Sequence, residues 1–349
     1  MRTKIIDVKD NKLDTGQLDL IADAFKEGKL VVFPTETVYG LGADGFNSDA
    51  CKKIFEAKGR PGDNPLILHI AYISQMDDLV LDFPDLAKTL ADEFWPGPLT
   101  MILKRSKRVP DAVTAGLDTV AIRMPSHPIA REILKYSGLP IAAPSANLSG
   151  KPSPTAFKRV FEDLNGKVDI IVDGGQADYG IESTVVDLTV KPPMILRPGG
   201  VTPEELRKII PQIEIDNAVI DASDKRVPKS PGQKYKHYAP EAECYTFAGR
   251  LPSVVAEINR KIQQEKGKKI AVLATDETVE DYKGAYIVIN LGSRENLIEV
   301  AHNLFEALRK CDDEKVDLIY AEGFELRGLG VGIMNRLLKA SGGRVKFGL

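Results

Sequence analysis

Cysteine is scarce in this chain of 349 residues: Cys51, Cys244 and Cys311 lie far apart. An odd number without any Cys-x-x-Cys pair suggests neither a disulfide framework nor a zinc site, and points to a reducing compartment. The four histidines, His69, His127, His237 and His302, are dispersed, with no H-E-x-x-H or other paired metal-ligand spacing. G-x-x-x-x-G-K-[ST] is also absent, which argues against a P-loop nucleotide site. Basic residues give no excess: 47 stand against 50 acidic ones in the chain, and 26 against 29 in residues 1–212. That balance disfavours a dedicated nucleic-acid binder held by bulk charge. No apolar run reaches the roughly 18 residues that span a bilayer. The start, Met1 to Asp7, is broken by charge before a signal core could form, so a cytoplasmic protein without a membrane partner is expected.

What the chain does carry is an ordered set of polar, Gly/Pro-punctuated segments. Pro34-Thr35-Glu36-Thr37-Val38-Tyr39-Gly40-Leu41-Gly42 comes first. Lys58-Gly59-Arg60, Asn64-Pro65-Leu66, Trp95-Pro96-Gly97-Pro98-Leu99-Thr100 and Pro144-Ser145-Ala146-Asn147-Leu148-Ser149-Gly150 follow. Hydroxyls, amides and fixed cations on loops of a rigid scaffold are the equipment of a binding site. Lys58 and Arg60 would point to one side if their turn is extended, which suggests a polyanionic guest. Arg197, ending Met194-Ile195-Leu196-Arg197, adds a third cation from a separate segment, as a triphosphate clamp requires. Arg123 is the natural reader of a carboxylate, because its planar fork gives two parallel hydrogen bonds. His69, on the apolar run Leu66 to Ile70, is balanced between a core histidine and a ligand contact. Trp95 reads as core, and Gly328-Leu329-Gly330-Val331-Gly332 as a tight loop without the full dinucleotide fingerprint.

Periodicity predicts helices over Asp19 to Gly28, Ala50 to Ala57 and Asp85 to Phe94. It predicts strands over Lys29 to Pro34, Pro65 to Ile70, Leu99 to Lys104, Thr119 to Arg123, Ile141 to Ala143, Ile170 to Asp173 and Ser183 to Leu188. The expected fold class is α/β: a twisted sheet of mixed direction (residues 1–211), a linker (212–240), and a smaller parallel α/β domain (241–349). In the latter, strands are expected at Lys269 to Leu273, Ala285 to Ile289 and Val316 to Ala321. Helices are expected around Leu297 to Leu308, capped by Ser293, and over Ile333 to Ala340. Five basic residues and no acidic one lie between Lys225 and Lys236, interleaved with Tyr235 and followed by His237 and Tyr238. This reads as a segment folding over a bound anion.

Together with Arg123-Met124-Pro125, His127, Glu182-Ser183-Thr184-Val185-Val186-Asp187 and Ser230-Pro231-Gly232-Gln233-Lys234-Tyr235-Lys236-His237-Tyr238-Ala239-Pro240, these motifs resemble the Sua5/YrdC family in its long form. The resemblance covers the whole chain and departs only at Gln233, where Met is expected. It implies a YrdC-like domain, a linker acting as a lid, and a Rossmann-like C-terminal domain. It also implies an L-threonylcarbamoyladenylate synthase, a transferase that makes threonylcarbamoyl-AMP and pyrophosphate from L-threonine, bicarbonate and ATP. The product would pass to a downstream machinery forming N6-threonylcarbamoyladenosine at position 37 of tRNA, with magnesium entering on the triphosphate. By the same resemblance Thr37, His69, Arg123, Ala143 and Ser183 belong to the threonine and carbamate side. Arg60, Asn64, Thr119, Ser145, Ser153, Arg197 and Tyr235 belong to ATP, with Lys58 as a further cation, and no dedicated metal ligand is implied. Two other readings exist. One is an RNA-binding surface, since the YrdC-like fold is similar to one; the other is a carbamoyl-transferring maturation domain, for which acylphosphatase-like and Cys-rich zinc segments are missing.

Overall fold

The structure is a computed structural model that describes residues 2–8, 12–219 and 237–349. Eleven strands form the first sheet: β1 (Lys4–Asp7), β2 (Val31–Phe33), β3 (Gly40–Asp44), β4 (Ile67–His69), β5 (Leu99–Lys104), β6 (Thr119–Arg123), β7 (Ile141–Ala142), β8 (Ile170–Asp173), β9 (Thr184–Asp187), β10 (Met194–Arg197) and β11 (Glu214–Ile215). Their spatial order is β1-β8-β2-β3-β7-β4-β6-β5-β9-β10-β11. Direction is mixed: β4 runs parallel to β6 and β5 to β9, while β5·β6, β2·β3 and β9·β10 are antiparallel.

Alternation along each strand sorts side chains to two faces. Leu30 and Val32 join Leu68, Met101 and Ile122 in a core covered by the helices Ser48–Lys58 and Asp85–Phe94. Val31 and Phe33 face the other way, with Ile141 and Val172, under the helices Thr15–Lys26 and Pro128–Ser137. Both faces are buried, so several strands read as unbroken apolar runs. Trp95 is core, donating from its indole to the Leu99 carbonyl at 2.7 Å.

A second sheet holds β12 (Glu243–Phe247), β13 (Ile270–Ala274), β14 (Ile287–Asn290), β15 (Leu318–Glu322) and β16 (Val345–Lys346), in the order β14-β13-β15-β12-β16. Every pairing is parallel. The helix Leu251–Gln264 covers one face through Val254, Ile258 and Ile262. Helices Leu297–Asp313 and Leu329–Ala340 cover the other, and their apolar core also takes in Val38, Ile181 and Tyr238. The second domain therefore packs its helical face onto segments next to the first domain's polar loops.

Several local expectations differ from the structure; Gly330 to Gly332, expected in a tight loop, lie in the first turn of the helix Leu329–Ala340. The helix Leu297–Asp313 is capped by Asn296, whose side chain accepts from the Glu299 amide, while Ser293 instead donates to Glu277 at 2.8 Å. The turn after Lys58 is not extended, because Gly59 is a left-handed C-cap (φ 59°, ψ 38°). Lys58 and Arg60 bond to different loops, Lys58 to the Ser145 and Asn147 carbonyls and Arg60 to those of Asn64 and Pro65. Among the described residues, no helix is long and apolar enough to cross a membrane.

Candidate active site

The polar loops meet at one edge of the large sheet, and strand register puts them there. His69 is paired with Arg123 across β4·β6, and Arg123 with Thr100 across β5·β6. Leu99 is paired with Thr184 across β5·β9, which brings Ser183 alongside Thr100. Arg197 ends β10 in the same row. On the other flank Gly40 bridges to Ser145, and Ala143 follows β7. The result is a single cavity lined by Thr35, Thr37, Arg60, His69, Arg123, Ala143, Ser145, Asn147, Ser153, Glu182, Ser183, Arg197, His237 and Tyr238 among others.

Arg123 is buried and held on three sides. Its Nη1 donates to Thr37 Oγ1 at 2.8 Å, its Nε to the Gly97 carbonyl at 3.3 Å, and its Nη2 lies 2.7 Å from Glu36 Oε1. Burial alone would raise the Glu36 carboxyl, yet the charge and hydrogen bonding of Arg123 bring it below its usual range. Thr35 organises the turn itself, donating to the Val38 carbonyl at 2.6 Å and contacting Thr37 Oγ1 at 3.0 Å. The His69 ring bonds the Ile67 carbonyl through Nδ1 at 3.1 Å. Burial, and then the nearby Arg123 charge, push His69 down to about 3, so the imidazole is neutral near pH 7. It is suited to hold a polar group beside Arg123 rather than to remove a proton.

Ser183 is fixed between two strands. Its hydroxyl lies 2.8 Å from Thr100 Oγ1 and accepts from Arg197 Nη2 at 3.0 Å, while its carbonyl accepts from Arg197 Nε at 3.0 Å. Ser153 donates to Glu182 Oε1 at 2.6 Å. Arg60 folds over its own loop, donating through Nη2 to the carbonyls of Asn64 and Pro65 at 3.1 and 3.2 Å. Ser145 donates to Asn147 Oδ1 at 2.5 Å.

Not every residue expected at the site lines the cavity. Lys58 is buried under the Ser145 to Asn147 loop, donating to the Ser145 carbonyl and, at 2.5 Å, to that of Asn147. Burial, with Arg60 nearby, pushes its ammonium well below the usual lysine range. It shapes the loop from below. Thr119 sits half-buried at the start of β6, opposite Lys104. Asn64 lies fully buried behind Arg60, and both atoms of its side-chain amide lack a hydrogen-bond partner among the described residues. A buried amide left unsatisfied is costly. Tyr235 and the basic run ending at Lys236 lie outside the described residues.

Three further groups line the cavity: Glu182, which had no expected role, and His237 and Tyr238, from the segment expected to fold over an anion. Glu182 is buried, and although burial would raise its carboxyl, the charges of Arg336 and Arg197 and the Ser153 hydroxyl hold it down to about 2. His237 is pushed down to about 3 by burial, and its Nε2 has no partner among the described residues. Tyr238 is buried against Phe305, ring centroids 5.0 Å apart. A local signal existed for each: a lone acid at the head of a hydroxyl-rich strand, and an aromatic pair closing a basic run. Among the described residues, no group of three or more His, Cys, Asp or Glu side chains could hold a metal ion. Glu182 in the cavity lining and Glu36, buried beside it, are both held by arginines.

Known proteins align with this arrangement. The family model described as telomere recombination (Sua5, YciO and YrdC) matches residues 23–199, and that described as the threonylcarbamoyl-AMP synthase C-terminal domain matches 201–342. A threonylcarbamoyl-AMP synthase of Pyrococcus abyssi is 49% identical over 345 residues, covering 98% of this chain and 99% of the relative. One from Bacillus subtilis is 50% identical over 353 residues, covering 99% of each. The crystal structure of P. abyssi Sua5 complexed with L-threonine superposes with a TM-score of 0.93 at 48% identity, covering 99% of this chain and 100% of that one. Two matched domains in sequence, spanning nearly the whole chain, make this protein a member of the long, two-domain Sua5 family of threonylcarbamoyl-AMP synthases.

Proposed function

We propose that the cavity joins L-threonine, bicarbonate and ATP into threonylcarbamoyl-AMP, releasing pyrophosphate and water. The nitrogen of threonine bonds to the bicarbonate carbon as a carbon–oxygen bond breaks and that oxygen leaves as water, giving a carbamate. A carbamate oxygen then bonds to the α-phosphorus as the bond from that phosphorus to pyrophosphate breaks. Neither step needs a covalent enzyme nucleophile. Positioning and charge stabilisation suffice, which fits a cavity of hydroxyls, amides and fixed cations without a Ser/His/Asp set.

The observation that carries the reading is the pairing of two buried arginines with two hydroxyls in one row: Arg123 with Thr37, and Arg197 with Ser183. Arg123 with His69 and Thr37 forms the end for the amino acid, its guanidinium taking the threonine carboxylate. Arg197 and Arg60, with Ser145 and Ser153, form the nucleotide end. The P. abyssi relative crystallised with L-threonine supports threonine as a substrate. Magnesium would enter as the counter-ion of the triphosphate. The product supplies N6-threonylcarbamoyladenosine formation on tRNA through a separate transfer machinery in the cytoplasm.

The test is pyrophosphate release by the purified full chain with ATP, magnesium, bicarbonate and L-threonine. Release that needs both threonine and bicarbonate is the expected result. Release indifferent to threonine would overturn the reading.

A further inference from the structure

The second domain touches the wall of the cavity at Glu182. Arg336, on the helix Leu329–Ala340, is completely buried although it is charged. Its Nε donates to Glu182 Oε2 at 3.0 Å, and its Nη2 lies 2.9 Å from the same oxygen. Nη2 also reaches the Glu182 carbonyl at 3.4 Å, and Nη1 donates to the Pro198 carbonyl. The other oxygen of Glu182 accepts from Ser153. A second arginine supports the same loop: Arg309, on the helix Leu297–Asp313, donates through Nη2 to the Pro152 carbonyl at 2.7 Å and pairs with Asp163 at 2.6 Å. Asp163 in turn accepts from the Leu148 amide at 3.1 Å.

The glycine-rich stretch Gly328 to Gly332 explains how the helix comes so close. A Cβ on Gly332 would lie 3.1 Å from Ile181 and 3.6 Å from Gly199, and one on Gly199 would lie 2.2 Å from the Glu182 carbonyl oxygen. The Gly328 amide donates to Glu204 of the first domain at 3.2 Å. Bulk at these positions would lift Arg336 off Glu182.

We propose that Arg336 is a positioning residue for the nucleotide end of the cavity: it fixes Glu182 as a buried acceptor, and Glu182 aims the Ser153 hydroxyl. The step rests on the assignment of Ser153 to ATP made above. Removing one partner of a buried ion pair strands the other charge, whereas neutralising both removes the penalty. That asymmetry separates positioning from mere domain docking. Glu306, whose carboxylate pairs with Arg159 across the same interface at 2.5 Å, provides the docking control.

The experiment measures ATP and L-threonine affinity by calorimetry on the full chain. Arg336→Met is expected to weaken ATP binding by roughly tenfold to a hundredfold, the range of a lost charged hydrogen bond, with threonine affinity within about twofold of wild type. Adding Glu182→Gln to Arg336→Met, so that an uncharged acceptor still meets Ser153, should recover most of that loss. Arg336→Lys, which keeps charge but not the fork, should fall between and serves if the Met variant does not fold. Glu306→Ala should leave ATP affinity unchanged. Equal loss of both ligands, no recovery by Glu182→Gln, or an equal ATP loss in Glu306→Ala would overturn the proposal. Failure of the functional reading shows elsewhere, as wild-type pyrophosphate release indifferent to threonine.

Discussion

Two buried carboxylates paired with arginine, one in each domain, are built to opposite ends. Glu322, at the end of β15, accepts from Tyr282 at 2.6 Å, from Thr275 at 3.1 Å, from Thr278, and from Arg294 at 2.6 Å. Arg294 then donates to Thr275 and to the Gly323 carbonyl. Donors and acceptors are matched within the cluster. Glu182 is also buried, but its surroundings are not closed: the His237 Nε2 in the same cavity is buried without a partner among the described residues, as is the Asn64 amide behind Arg60. A satisfied network rigidifies a fold, while one that leaves polar atoms waiting is a place for a ligand. The sheet ends alone do not tell these apart, since both clusters sit where strands of an α/β sheet stop.

The comparison is broken most severely at Arg123. Arg123→Ala would strand the Glu36 carboxylate in the first domain's interior, at a cost of about 3 kcal/mol or more in stability. Loss of the substrate carboxylate partner should reduce turnover about 100-fold or more. Thermal melts and pyrophosphate release measure both; a variant with wild-type turnover would remove Arg123 from the site. Glu322→Ala should cost a similar amount, about 3 kcal/mol, because Arg294 loses its counter-charge. In the variant that remains folded, however, KM for ATP and threonine should be unchanged. A shift in either KM would mean that the second cluster is functional too.

Asn64→Leu sharpens the contrast. Replacing an unsatisfied buried amide with an apolar side chain of similar volume should change the free protein's stability by no more than about 1 kcal/mol. Nucleotide affinity should nevertheless fall about tenfold, the loss of hydrogen bonds formed only with the ligand. Normal affinity in this variant would make the amide a packing defect.

Near neutral pH the smallest effect is the dependence on pH. His69 and His237 are held near 3, far below the 6.5 of an exposed histidine. Between those values the unfolded chain takes up protons that the folded one refuses. Stability from this source is therefore complete above pH 6.5 and declines as pH falls toward 3, with a slope of at most about 1.4 kcal/mol per pH unit for each histidine. Turnover between pH 6 and 8 should show no titration assignable to His69. A His69 ring resonance titrating near 6.5 would contradict the buried, neutral imidazole.

The architecture was legible where local pattern and punctuation agree. Asp85–Phe94 and Leu99–Lys104 lie where expected, because an amphipathic run ends at Trp95-Pro96-Gly97-Pro98 and an apolar one begins there. Thr119–Arg123 likewise starts and stops as read. The strand Gly40–Asp44 was not visible, since its glycines read as loop; here they serve packing, as a Cβ on Gly42 would meet Phe33 and Ile141 at under 3 Å. The cavity residues Thr37, His69, Arg123, Ala143, Ser183 and Arg197 were found from residue chemistry and family resemblance, and strand register brings them together. Arg336 was beyond reach. It meets Glu182 across 154 positions of chain, and nothing in its own neighbourhood marks an arginine in an apolar helix as facing another domain's cavity.

The most direct test of a single cavity in which both substrates are joined is the mass of the nucleotide product made from ATP and L-threonine with ¹³C-labelled bicarbonate. The account predicts threonylcarbamoyl-AMP carrying the label, made by wild type and strongly reduced in Arg123→Ala. An unlabelled adenylate, or a labelled one formed equally well without Arg123, would contradict it.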